Sequence, residues 1–187
     1  MRLRRHDPNP RLRDLVRGYW ELEDLHLAWP EQMRDLLTDQ QYLRAKLRAV
    51  GGPRAELVSW ERDEHGARVV LHQTVPSDAI PSFLRAMLPG DLMIRRTEIW
   101  RGYRGNVEAE VDGAPGTITG VMSLEPDGTG CVLGSQLTVE VPLPLIGGKV
   151  EKLVSDNIAS LLESEHQFTV TWLRNPQEED VPGAGGS

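Results

Sequence analysis

The residue types able to do chemistry are few in this chain, and two groups of them have informative spacing. From Leu92 onward, Ile94, Arg96, Glu98 and Trp100 recur at every second position, so in a strand they share one face. On an internal face Arg96 and Glu98 would pair, and burial that raised the Glu98 pKa would make it a general acid or base; a plain structural ion pair is the competing reading. Gln73, in phase with Val69 and Leu71, would join this polar spot. Asn157 interrupts an apolar helical stripe one turn beyond Leu153. A buried amide costs free energy unless it is paired, so Asn157 reads either as satisfied by a neighbouring group or as a hydrogen-bonding handle for a ligand.

Other constellations fail on spacing. His6, His26, His65, His72 and His166 show no metal-ligand pattern, and no metal or cofactor is expected. Cys131 is the lone cysteine, which excludes an internal disulfide and agrees with a reducing compartment; in an apolar strand it reads as a small buried hydrophobe. Ser135 follows Gly134 without the G-x-S-x-G elbow of a serine nucleophile. Gly147-Gly148-Lys149 lacks the first half of a phosphate-binding loop, and alternation puts Glu108 and Glu110 on a wet face.

The elements that must position these residues belong to a chain of 187 residues, 39% hydrophobic and 26% charged, a globular composition that fits one domain. No stretch approaches the ~18 apolar residues of a membrane span, and no apolar run follows the N-terminus as in a secretory signal, so a cytoplasmic protein is expected. Residues 1–17 carry six arginines against Asp7 and Asp14, a local +4 in a chain of net charge −7, which leaves −11 for the remainder. An acidic body argues against a nucleic-acid surface. The expected organisation is a basic N-terminal arm over 1–17, poorly ordered or weakly helical, one domain over 18–175, and a disordered acidic and glycine-rich tail over 176–187.

Periodicity and punctuation predict a strand over 19–27, a helix over 31–37, and a second helix opened by Asp39 and stopped by Gly51-Gly52-Pro53. Strands follow over 57–62 and 67–74, joined by the turn Asp63-Glu64-His65-Gly66. A short helix or crossover is expected over 80–88. Four more strands, over 92–104, 106–112, 116–125 and 129–141, are separated by turns at Gly105-Asn106, Asp112-Gly113-Ala114-Pro115 and Pro126-Asp127-Gly128 and should pair antiparallel. The last helix, over 146–174, places Ile146, Val150, Leu153, Val154, Ile158, Leu161, Phe168 and Trp172 on one stripe, with Lys149, Lys152, Asp156, Glu163 and His166 facing away. This is an α+β arrangement, with helices gathered on one face of an antiparallel sheet.

Several segments together resemble the prokaryotic family known as domain of unknown function 2505. They are Asp35-Leu36-Leu37-Thr38-Asp39-Gln40-Gln41-Tyr42-Leu43, Leu88-Pro89-Gly90-Asp91-Leu92, Arg96-Thr97-Glu98-Ile99-Trp100, and Val141-Pro142-Leu143-Pro144-Leu145-Ile146-Gly147-Gly148-Lys149-Val150-Glu151-Lys152-Leu153. The resemblance covers about residues 20 to 174. It implies the START-like helix-grip fold of polyketide cyclases and lipid-transfer domains: a seven-stranded antiparallel sheet wrapped around a long C-terminal helix, with a cavity between. It transfers no catalytic residue.

Strand parity then proposes the cavity walls. Val107, Ala109 and Val111, then Ile118, Gly120, Met122 and Leu124, then Cys131, Leu133, Ser135, Leu137 and Val139 form the apolar face, and the small residues Ala109, Gly120 and Ser135 would leave room beneath the helix. The expected ligand-binding residues are Leu71, Gln73, Ile94, Arg96, Glu98, Trp100, Ala109, Met122, Leu133, Leu137, Val150, Leu153 and Asn157. The expected partner is a small hydrophobic molecule, lipid or polyketide-like, carried without catalysis. The alternatives are a cyclase- or hydratase-like enzyme using Glu98 and a protein-protein interaction module.

Overall fold

The structure is a computed structural model that describes residues 4–6, 16–25, 28–85, 90–128 and 130–175. Strands β1 (Arg4–His6) and β2 (Val16–Leu25) are followed by helices α1 (Pro30–Leu37) and α2 (Gln40–Val50). Then come β3 (Glu56–Asp63), β4 (Gly66–Val75), a 3-10 turn at Ser77–Ala79 and the short α3 (Ser82–Arg85). Strands β5 (Leu92–Arg101), β6 (Arg104–Val111), β7 (Thr117–Asp127) and β8 (Gly130–Glu140) lead into the long helix α4 (Gly147–Arg174).

All strands join one antiparallel sheet in the order β1-β2-β8-β7-β6-β5-β4-β3. The six consecutive strands β3 to β8 form a simple meander, because each is tied to the next by a short turn or a brief excursion. Strand β2 closes the sheet onto β8, with Trp20 opposite Ser135, and completes the seven expected strands. The short β1 is an eighth. It and the first residues of β2 fall inside the stretch set aside as a basic arm; most of that arm and residues 176–187 lie outside the described residues, as do 86–89 of the expected crossover.

Local chemistry explains the boundaries. Pro30 occupies the first turn of α1, and the Trp29 backbone N–H donates to Gln32 Oε1 at 3.0 Å. Asp39 caps α2 as its spacing indicated, its carboxylate accepting from the Tyr42 backbone N–H at 2.7 Å. The β3–β4 turn is held by Asp63, whose Oδ1 accepts from the backbone N–H groups of His65 and Gly66 at 2.8 and 3.0 Å. The β5–β6 turn falls earlier than expected, at Gly102, which takes φ 55°. Gly105 is therefore a strand residue, and its bare face is occupied by the Trp100 indole: a Cβ there would meet ring atoms at 2.9 to 3.1 Å.

The helices cover one face of the sheet. The larger core cluster unites Met33 and Leu37 of α1, Tyr42, Leu43 and Leu47 of α2, and Leu162 of α4 with Val69, Leu71, Trp100, Val107, Met122, Leu124, Cys131 and Leu137. Cys131 is buried, and burial pushes its thiol pKa up. A second, smaller cluster lies under the N-terminal half of α4, where Ile80, Leu84 and Val150 gather Val75, Leu92, Val141, Leu143, Ile146, Leu153 and Val154. Helix α4, about 42 Å long at ~1.5 Å per residue, thus spans two separate cores. Among the described residues no helix is long and apolar enough to cross a membrane.

Candidate functional site

Strand register arranges the inner face in rows. Leu71, Arg96, Ala109, Ile118 and Val139 lie abreast on β4 to β8; the next row is Val69, Glu98, Val107, Gly120 and Leu137. The third is Ala67, Trp100, Gly105, Met122 and Ser135. Rows on one face are two residues apart, about 6.8 Å along the strand.

Arg96, Glu98 and Trp100 of β5, Met122 and Ser135 of the third row, α2 and the C-terminal half of α4 enclose a polar centre. Arg96 Nη2 lies 2.8 Å from Glu98 Oε1, and Arg96 Nη1 donates to Glu165 Oε1 at 3.0 Å. Lys46 Nζ reaches Glu165 Oε2 at 3.4 Å, and the Trp100 indole N–H donates to Glu98 Oε2 at 3.0 Å. Two cations and two carboxylates therefore alternate in a chain of zero net charge. Burial is deep: side-chain exposure is 5% for Lys46, 11% for Arg96, 4% for Glu98 and 10% for Glu165. Beside the chain, the buried Tyr42 hydroxyl shares a 2.7 Å hydrogen bond with Thr169 Oγ1, which also donates to the Glu165 carbonyl at 2.7 Å.

Mutual attraction decides the charge states. Desolvation alone would raise the Glu165 pKa, but Arg96 and Lys46 together hold it below the usual carboxylate range. For Lys46 desolvation acts downward and is outweighed, first by Glu165 and then by Tyr42 and Glu98, so its pKa is raised. Arg96 is raised in the same way. Tyr42 is pushed up by burial and stays a neutral hydroxyl.

The space within this centre is about 30 Å³, lined by Tyr42, Lys46, Arg96, Glu98, Glu165 and His166 among others. That is room for roughly one or two water molecules, not an organic ligand. Among the described residues Arg96 Nε has no hydrogen-bond partner and Glu98 Oε1 has only its ion-pair contact with Arg96 Nη2, so a water accepting from the first and donating to the second has the partners it needs.

A different pocket, of about 230 Å³, opens under the N-terminal half of α4. Ala109, Val111, Ile118 and Val139 of the sheet, Leu84 of α3, and Val150 and Val154 of α4 line it, with Ala114 and Pro115 of the β6–β7 turn at its edge. The lining is predominantly aliphatic. Phe83, the residue before Leu84, is 40% exposed, with Lys149 Nζ lying 4.6 Å from the ring centroid. Leu145, in the linker before α4, is fully exposed with φ 68°. A larger cleft of about 280 Å³ at the opposite end of the sheet is lined by Glu61, Arg62, Asp63, His65, Arg68 and Arg101. It is shallow and charged, so it buries little apolar area.

The expected site residues divide between these regions. Arg96, Glu98, Trp100, Met122 and Leu133 line the polar centre, whereas Ala109 and Val150 line the apolar pocket. Leu137 lies in the row between them, and Leu153 packs beside Val150 in the smaller core. Leu71 and Gln73 are buried and Ile94 is half-buried, all in phase with Arg96. The internal Arg96–Glu98 pair is present.

Asn157 requires correction: it is exposed. It lies five residues before the buried Leu162, about 140° around the helix at ~100° per residue, which puts it past the edge of the stripe. His166 requires the opposite correction, since it is buried, four residues beyond Leu162 on the same side. Glu165 and Lys46 were not anticipated. Both carried a signal: Glu165 stands three residues after Leu162 and four before Thr169, and Lys46 four after Tyr42, all positions on a buried stripe.

Comparisons with known proteins agree with this architecture. An uncharacterized protein of Mycobacterium tuberculosis is 33% identical over 120 residues, covering 60% of this chain and 69% of that one. A START superfamily protein from Mycobacterium smegmatis superposes with a TM-score of 0.53 at 16% identity, over 84% of this chain and 98% of that one. The di-domain ARO/CYC StfQ from the steffimycin biosynthetic pathway superposes with a TM-score of 0.59 at 13% identity, over 86% of this chain and 51% of that one. These likenesses identify a START-like helix-grip fold. With a family model matching residues 27–173, the chain belongs to the family described as protein of unknown function DUF2505.

Proposed function

We propose that this protein binds a small, mainly apolar molecule in the pocket between the N-terminal half of α4 and the adjoining ends of β5 to β8. The observation that carries this reading is the contrast between the two internal spaces. The aliphatic pocket of about 230 Å³ approaches the ~300 Å³ lower end of ligand sites, while the charged centre holds about 30 Å³. The ligand's affinity derives from apolar area removed from water, at ~25 cal/mol per Å². The fold is shared with a START superfamily protein and with an ARO/CYC of steffimycin biosynthesis, which fits a ligand-holding role.

The geometry around Glu98 weighs against a cyclase- or hydratase-like role for it. One carboxylate oxygen faces Arg96, the other accepts from Trp100, and no organic substrate fits beside them.

The test is displacement of 1-anilinonaphthalene-8-sulfonate by straight-chain alkanoic acids and alkanols of graded length. Wild-type protein should show saturable displacement, and Ala114→Trp, which fills the pocket edge, should weaken it at least tenfold. A wild-type protein that takes up neither the probe nor any chain, or an Ala114→Trp variant that binds equally well, would overturn the reading.

A further inference from the structure

The two internal spaces stand one above the other on the same strands. Ala109, Ile118 and Val139 line the apolar pocket, and Met122 and Ser135, four residues along β7 and β8, line the polar centre. The row between them on β6 to β8 is Val107, Gly120 and Leu137. Gly120 stands in that row where the β8 chain comes close: a Cβ there would clash with the Gln136 backbone carbonyl oxygen and come within 2.8 Å of Leu137 Cδ2, directly opposite. Leu137 is 6% exposed and Val107 7%. On the helix side, Ile158 stands one turn beyond Val154 of the pocket and one turn before Leu162 of the polar centre, packed against the same core cluster as Leu137.

We infer that Leu137, opposite Gly120 in the middle row, is the specificity-determining floor of the ligand pocket: it admits a short linear apolar chain and stops that chain before the polar space lined by Met122 and Ser135. The inference rests on the ligand-binding reading above and deepens it by naming what sets ligand length. The chemistry requires such a floor. A longer apolar chain passing Leu137 would enter the space lined by Met122 and Ser135 and press between the strand charges Arg96 and Glu98 and the helix charges Glu165 and Lys46 without replacing their partners, and unpartnered buried charges are costly. Glycine at 120 is required first by the close Gln136 carbonyl of β8, and its missing side chain also leaves room for Leu137. A row is about 6.8 Å deep, so removing the floor lengthens the accessible path by that amount.

The experiment measures apparent affinity against chain length for n-alkanoic acids from six to fourteen carbons, in wild type, Leu137→Ala and the milder Leu137→Val. Each methylene that is buried raises affinity about fourfold, from ~0.8 kcal/mol per CH2. Wild type should level off at a chain length that Leu137→Ala exceeds by at least three carbons, with Leu137→Val between them. Circular dichroism on all three proteins confirms that folded material is compared, and Leu137→Val keeps the test usable if the alanine variant does not fold. A length profile identical in wild type and the folded variants overturns the inference while leaving ligand binding intact. Absence of binding in wild type overturns the underlying reading instead.

Discussion

Glu165 is the one carboxylate that bridges both buried cations, at 3.0 Å to Arg96 and 3.4 Å to Lys46, so replacing it by glutamine tests the logic of the polar centre most directly. At an effective dielectric of ~20 each of these contacts is worth about 5 kcal/mol of gross attraction. Much of that gross gain is offset by the cost of burying Glu165 itself, so the net effect should be the ~3–5 kcal/mol typical of breaking a buried pair. Lys46 suffers most. Desolvation is the largest influence on its pKa, and without Glu165 the carboxylate left to oppose it is that of Glu98. Urea unfolding followed by tryptophan fluorescence, to which the buried Trp100 contributes, should show the loss in the midpoint, and a thermal melt a fall in Tm of roughly 6–20 °C.

The pH dependence has a definite sign. The folded pKa of Glu165 is depressed, so its contribution is complete above the unfolded value of ~4.3 and is lost as pH falls through the folded pKa. Lys46 is raised, so its contribution is complete below ~10.4 and is lost as pH rises through its folded pKa. Glu165→Gln should flatten the acid limb. The double variant Lys46→Met with Glu165→Leu should be more stable than Glu165→Gln alone, because it leaves Arg96 and Glu98 as a matched pair. A Glu165→Gln protein within about 1 kcal/mol of wild type would refute the reasoning, as would a double variant destabilised by the full sum of the singles.

Two further outcomes follow from local geometry. Leu145→Gly should stabilise the protein by about 0.5–1 kcal/mol, because a leucine at φ 68° carries a left-handed backbone penalty and this one, fully exposed, has no packing to lose; a thermal melt reads it. Tyr42→Phe should cost about 1 kcal/mol in urea midpoint, since it deletes the bond to Thr169 while Thr169 keeps the Glu165 carbonyl as acceptor.

The sheet was legible because alternation is a local property. Glu108 and Glu110 face solvent and Val107 and Ala109 face the core, as parity alone requires. The internal Arg96–Glu98 pair was legible for the same reason. Glu165 and Lys46 were not, because their partners stand 69 and 119 residues away and helical periodicity treats each element alone, assigning charge to water by default. Asn157 misled for a related reason: one turn from a half-buried leucine is close to the stripe but off its centre. The room expected from Ala109, Gly120 and Ser135 was real at the first, closed by the β8 backbone and Leu137 at the second, and charged at the third. Residue size along a strand identifies where space exists, and only the opposing side chain decides what occupies it.

The division of α4 between two cores separates binding from cohesion. The α4 side chains that lock the helix to α2, Glu165 against Lys46 and Phe168 and Trp172 with ring centroids 5.7 to 5.8 Å from Tyr42, lie in its C-terminal half. Val150 and Val154, which face the pocket, lie in the other half and touch none of that network. The pocket lining is thus free to diversify in size and shape while the far half keeps the helix in register, a division of labour that suits the scaffold to re-engineering for new ligands.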